Sequence, residues 1–335
     1  MFDWQGKQVL VTGAGGFIAS HLVNRLVNEG AKVRAFVRYN SRNDVGLLRL
    51  LEPKVFSELE IIAGDLRDPE AIRAASRNVD TIFGLGALIA IPYSYLHPHE
   101  VIETNIMGTL NILTAARDIG VRRVVHTSTS EVYGTAIYTP IDEKHPLQGQ
   151  SPYSASKIGA DKIAESFYRS FNVPVVTLRP FNTYGPRQSA RAVIPTIISQ
   201  ALTREEIHLG SLDTWRDFTF VTDTIDGFMR IAMAENILGQ EINIGNNQAI
   251  RIGELAEKIF ALVGKNPTRR AYEITSESQR LRPAKSEVMK LHASNQKAKE
   301  LMDWSPQVSL DEGLTQTIAW IKDHLELFKP DIYTV

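Results

Sequence analysis

The chain has 335 residues, enough for two cores, with 43% hydrophobic and 22% charged residues and a formal net charge of -1. So even a balance offers no field for nucleic acid or an anionic membrane, and the absence of cysteine excludes disulfides, thiolate catalysis and cysteine metal sites. No apolar run approaches membrane-spanning length, and the opening MFDWQGKQVLVTG has no basic segment followed by an apolar one, so a cytoplasmic protein without a signal peptide is expected.

Strands are predicted over 7–12, 31–37, 59–64, 81–85, 122–128 and 173–179, with helices between them, among them 19–28, 105–119 and 153–171. That alternation implies an α/β fold, a Rossmann-type doubly wound parallel sheet with right-handed crossovers. After Pro180 the rhythm breaks into Pro-, Gly- and Arg-rich loops with helices near 192–203, 252–263 and 309–325, as expected for a smaller mixed α/β C-terminal substrate lobe. The expected division is a dinucleotide-binding domain over 1–180, rejoined by about 217–247, and a substrate lobe over 181–216 and 248–330. No repeat or low-complexity tract interrupts it.

At the first strand-to-helix junction, VLVTGAGGFIASHLVNRL places Gly13, Gly15 and Gly16 ahead of Phe17 and Ile18. Glycines there allow a tight turn and let backbone N–H groups approach a pyrophosphate at the helix N-terminus. The second strand ends AFVRYNSRND, where the acid that would bind a ribose hydroxyl is replaced by Arg38, Ser41 and Arg42. Arginine there suits a 2′-phosphate, so NADP is the expected cofactor and NAD the alternative. Asp65, followed by Leu66, is a candidate adenine contact or else a cap for the helix after it.

Further along, HTSTSEVYG ends the fifth strand with a run of hydroxyls and then Glu131. On a strand Thr129 and Glu131 share a face. SPYSASKIGADK carries Tyr153 and Lys157 four apart, hence on one helix face, where an ammonium would lower the tyrosine's pKa and make a phenolate base. Tyr133 reads as an aromatic wall. Arginines at 187, 191, 216, 280 and 282 offer forks for a nucleotide's phosphates. No metal site is expected.

In order, TGAGGFIAS, STSEVYG, PYSASK, RPFNTYGPRQ and RDFTFVTD resemble the extended short-chain dehydrogenases/reductases that act on nucleotide sugars, over essentially the whole chain. Within that family STSEVYG is similar to the nucleotide-sugar 4,6-dehydratases. The longer HTSTSEVYGTAIYTPIDEKHPLQGQSPYSASK resembles the N-acetylglucosamine-nucleotide 4,6-dehydratases of bacterial legionaminic-acid pathways. The resemblance implies Thr129, Glu131, Tyr153 and Lys157 as catalytic residues, with Ser130 standing where many dehydratases carry an aspartic acid. It also implies Ser94 and Tyr95 at the hexose, Asn182 at the sugar-phosphate, and Arg216 and Arg282, with Arg191, at the pyrophosphate. Val193, beside Ile194, would bracket the base. The implied substrate is a UDP- or GDP-linked N-acetylhexosamine, and the implied assembly a homodimer through a four-helix bundle of the 105–119 and 153–171 helices. A 4-epimerase, a dehydratase/5-epimerase, a uronic-acid decarboxylase and a non-catalytic NADP-sensing protein are the rival readings.

Overall fold

The computed structural model describes residues 4–204, 206–264, 273–277 and 280–328. Position 330, the expected end of the lobe, and 265–272 and 278–279 inside it fall outside the described residues. The strands are β1 Gln8–Thr12, β2 Lys32–Arg38, β3 Glu60–Gly64, β4 Thr81–Gly84, β5 Arg123–Thr127, β6 Val175–Pro180, β7 Asn182–Tyr184, β8 Glu206–Leu209, β9 Trp215–Phe220, β10 Glu241–Ile244, β11 Ala249–Arg251 and β12 Glu273–Ser276. Helices α1 Phe17–Asn28, α2 Pro53–Ser57, α3 Pro69–Ala75, α4 Ile91–Leu96, α5 Pro98–Ile102 and α6 Gly108–Ile119 precede the long α7 Pro152–Phe171. After it come α8 Val193–Thr203, α9 Val221–Met233, α10 Ile252–Val263, α11 Gln296–Met302 and α12 Leu310–Asp323.

Seven parallel strands form one sheet in the order β10-β6-β5-β4-β1-β2-β3. The order reverses between β1 and β4, and that reversal opens a crevice beyond their carboxyl ends. The inner strands β1, β4, β5 and β6 are buried on both faces, which is why they read as nearly continuous apolar runs, whereas β3 at the edge is only partly covered. Val9 and Val11 of β1 join Phe83, Val125, Val176 and Leu178 in one core with α1 and α9. Leu10, between them, points the other way and packs with Ile82, Ile112, Val124 and Val175.

Beyond β6, β7 and β11 flank β9 in a three-stranded mixed sheet, and β12 pairs with β8. β10 lies against β6 at the edge of the large sheet, in the register Glu241↔Thr177 to Ile244↔Pro180. The helix expected over 105–119 begins one turn earlier than its α-helical part, as a wider π turn, Glu103–Met107, leading into α6. Among the described residues no helix is long and apolar enough to cross a membrane.

Candidate active site

The glycine-rich turn lies where β1 meets the reversal point. Gly13 has φ +66, and a Cβ there would stand 2.6 Å from Cα of Gly86, just past β4. A Cβ on Gly86 would in turn meet the end of the Leu66 side chain at 2.7 Å, so it is Gly13, with its positive φ and backbone contact, that requires glycine. Gly15 runs beneath the Val45 carbonyl, and Gly16 is the N-cap of α1. The α1 N-terminus has no side-chain cap and no acid in its first turn. Its free N–H groups, beginning at Phe17 and Ile18, therefore suit the pyrophosphate of a dinucleotide.

Arg38 closes β2 and forms an ion pair with Glu100 at 3.2 Å. Ser41 and Arg42 lie in an exposed loop tied by Asn40, whose Oδ1 accepts from the backbone of Arg42 and Asp44. Asp65 does not cap α3. Its carboxylate accepts from Arg67 Nε and Nη2 at 3.0 and 2.7 Å, a hydrogen bond that holds it below the usual carboxylate range. The cap is Asp68, which accepts from Glu70 and Ala71. Leu66 packs against Gly86 and Gly108.

β5 ends at Thr127, before the residues expected to share a strand face. Thr129 is instead the N-cap of a one-turn 3-10 helix, Ser130–Tyr133, and its hydroxyl accepts from Glu131 N at 3.2 Å. The strand argument for Thr129 and Glu131 is therefore corrected: a tight helical turn sets their relation. α7 starts on a capping box of Ser151 and Ser154, which fixes Tyr153 in its first turn and Lys157 one turn on. The Thr129 hydroxyl stands on the Tyr153 side of the turn and favours its phenolate. Burial raises its phenol, the Thr129 hydroxyl opposes that, and the Glu131 and Asp161 charges add to it. Lys157 lies one helical turn on from Tyr153. Its ammonium donates to the Thr127 carbonyl at 2.7 Å, and burial pushes it down to about 8 against the pull of Asp161.

Across from this trio lie the arginines. Arg282 Nη1 is 3.8 Å from Glu131 Oε2 and 3.9 Å from Glu287 Oε1, and it is buried without a hydrogen-bond partner. Arg216, on β9, is buried and reaches the same Glu287 oxygen at 3.4 Å; its burial lowers it, and Glu131 counteracts. Glu131 thus stands between the Thr129–Tyr153 pair and two guanidinium groups. On β7, Asn182 has a buried Oδ1 without a partner. Tyr95 shares a hydrogen bond of 2.6 Å with Ser286, between Arg282 and Glu287, which joins α4 to the arginine segment.

Other expected residues stand elsewhere. Ser94 is fully buried, its hydroxyl given to Ile91 O at 2.7 Å, so it packs α4 rather than facing the cleft. Ser130 is buried beneath the turn. Tyr133 is no cleft wall: it is wholly buried, donates to Asn243 Oδ1 at 2.7 Å and accepts from Arg179 at 3.1 Å. Arg191 is exposed with its guanidinium on Ser189, Val193 opens α8, and Arg280 pairs with Glu277. Arg187 crosses to α1 and donates to Ser20 Oγ and His21 Nδ1 at 3.2 and 2.9 Å.

Sequence reasoning missed Glu287, and it missed the buried group beneath the turn. There Asp161 accepts from Ser128 at 2.8 Å, from Arg179 at 2.9 and 3.1 Å, and meets His126 at 3.0 Å. Asp161 lies four residues after Lys157, on the same helix face, and that spacing was its available signal. Among the described residues no group of three or more His, Asp or Glu side chains is arranged to hold a metal ion.

Residues 10–317 match the profile of the family described as GDP-mannose 4,6 dehydratase. The chain is 33% identical over 322 residues to UDP-glucuronic acid decarboxylase 3 of Arabidopsis thaliana, covering 93% of this chain and 88% of that protein. Its fold is similar to that of DesIV, a dTDP-glucose 4,6-dehydratase from Streptomyces venezuelae with NAD bound, at TM-score 0.84 and 27% identity over 96% of this chain and 99% of that one. It is also similar to the UDP-N-acetylglucosamine 4-epimerase of Methanobrevibacter ruminantium M1 in complex with UDP-N-acetylmuramic acid, at TM-score 0.85 and 27% identity, over 96% and 99% of the two chains.

Proposed function

The chain belongs to the GDP-mannose 4,6-dehydratase family, and on that premise we propose that it is a 4,6-dehydratase of a UDP- or GDP-linked N-acetylhexosamine, N-acetylglucosamine foremost. The observation that carries this reading is the Glu131 carboxylate, held between the hydroxyl–phenol pair of Thr129 and Tyr153 and the guanidinium of Arg282. A 4-epimerase needs no carboxylate there. The acetamido preference rests on the resemblance of the long segment from His126 to Lys157.

Tyr153, oriented by Thr129, takes the proton of the sugar's 4-hydroxyl. A nicotinamide dinucleotide held at the Gly13–Gly86 turn and the α1 N-terminus would supply a hydride acceptor and donor for carbons 4 and 6, and its positive charge would favour a Tyr153 phenolate. The new ketone acidifies the hydrogen on carbon 5, which Glu131 removes. Glu131 then gives that proton to the departing 6-hydroxyl, so one water leaves. Carbon 5 then takes a proton from solvent, balanced by the 4-hydroxyl proton that Tyr153 releases to solvent, giving a 4-keto-6-deoxy sugar with no net redox change. Lys157 anchors the turn through the Thr127 carbonyl and places a positive charge one helical turn below Tyr153. Arg216 and Arg282, held by Glu287, bind the pyrophosphate, and Asn182 offers its unpartnered oxygen to the sugar-phosphate.

The Gly13–Gly86 approach and the uncapped α1 N-terminus fit a dinucleotide, and Arg38 supports NADP. Pairing of two copies through the helices of the 105–119 and 153–171 segments accounts for the exposure of Ile102, Met107 and Phe171. Incubation with the dinucleotide and UDP- or GDP-N-acetylglucosamine is expected to yield a product lighter by one water in mass spectrometry. An unchanged mass with inverted stereochemistry would mean epimerase, and carbon dioxide released from a nucleotide uronic acid would mean decarboxylase. The decarboxylase is the second reading, favoured by an arginine, Arg282, beside the reacting carbons, where it could hold a uronate.

A further inference from the structure

β2 ends without an acid, yet the fold brings one to the same place. Glu100, on α5 and 62 residues away in sequence, sets its Oε1 3.2 Å from Arg38 Nη2. Its other oxygen accepts from the phenol of Tyr93 on α4, so the carboxylate is held at two points. Asp65 and Glu103, also nearby, both lie against Arg67, at 2.7 and 3.7 Å. Among the described residues, Glu100 is the acid that forms an ion pair with Arg38.

The residue that follows the second strand of such a sheet reads the 2′ position of the adenosine ribose: an acid takes the hydroxyl and an arginine the phosphate. Here both chemistries meet at one guanidinium. A 2′-phosphate would have to share Arg38 with a carboxylate and would stand within a few ångströms of a like charge, whereas a 2′-hydroxyl meets no such opposition. We propose that Glu100 is a specificity-determining residue for the cofactor: it competes with a 2′-phosphate for Arg38, so the chain accepts both NAD and NADP instead of excluding the unphosphorylated form. The inference rests on the reading of Arg38 as the group that meets the 2′ position.

Dissociation constants of NAD and NADP, measured by titration calorimetry on the full chain, test it. Glu100→Gln keeps the side chain's shape and its acceptor for Tyr93 but removes the charge. It is expected to tighten NADP by about tenfold and to change NAD by less than about twofold, the gain shrinking at high salt. Arg38→Gln is expected to weaken NADP by about tenfold while sparing NAD. If Arg38→Gln shifts the NADP:NAD ratio and Glu100→Gln leaves it unchanged, the role of Glu100 is refuted while that of Arg38 stands. If Arg38→Gln leaves NADP binding as in the wild type, the reading of Arg38 fails and the inference goes with it.

Discussion

In the proposed mechanism Glu131 and Tyr153 divide the work at the reacting carbons, and each can be removed with an isostere. A Glu131→Gln variant is expected to build up reduced cofactor on mixing with substrate yet lose water about 10²- to 10³-fold more slowly. Stopped-flow absorbance of the reduced nicotinamide, followed by product mass, separates the two events, and normal water loss would remove Glu131 from the mechanism. Tyr153→Phe should fail earlier, with hydride transfer itself slowed about 10²- to 10⁴-fold. The contrast matters because burial raises the Tyr153 phenol.

α7 lines up Tyr153, Lys157 and Asp161 at four-residue intervals, so one helix face carries the proposed base, the ammonium and the anion beneath it. Burial opposes the Asp161 charge, but His126 and Arg179 overcome it and draw the carboxyl down to about 2. Its folded value lies below its ordinary one, so the stability it contributes is present above the ordinary carboxylate range and is lost as pH falls toward about 2. Lys157, at about 8, predicts that kcat/KM declines on the alkaline side near that pH as the ammonium is lost. Asp161→Asn removes a charge that favours the ammonium, so this alkaline limb should move to lower pH. The same change leaves the buried Arg179 unpaired and should cost about 3–5 kcal/mol in denaturant unfolding. A variant that unfolds more readily with its pH limb unmoved would reduce Asp161 to a purely structural role.

At the scale of the molecule, the site exists because segments from the second half of the chain reach over the large sheet. Arg282 and Glu287 meet Glu131 and Arg216, Ser286 binds Tyr95, and Arg187 reaches α1. The cleft therefore depends on the two parts holding their relative placement. Exposed Ile102 and Met107, 42% and 44% accessible, lie at the start of the helical stretch through α6 and predict pairing of two copies. Light scattering on the eluting protein should report twice the chain's 37.4 kDa. Met107→Glu, which sets a charge on that apolar surface, should shift the population to single chains, and a wild type at single-chain mass would refute the pairing.

What the sequence determined by itself is what depends on neighbours along the chain. The glycine turn, the four-residue spacing of Tyr153 and Lys157, and the apolar runs of the doubly wound sheet are local patterns, because backbone sterics and helical or strand period act over a few residues. Thr129 and Glu131 were legible as a pair, although the period invoked for them was wrong: the chain leaves the strand at Thr127 and turns. Only the tertiary structure decided that Glu287 holds Arg216 across 71 positions, that Asp161 binds Arg179, and that an acid from α5 stands where β2 has none. Those contacts follow from strand order and from how helices cross the sheet. A side chain's charge can be read from the sequence, but the charge it faces is known only when the chain has closed.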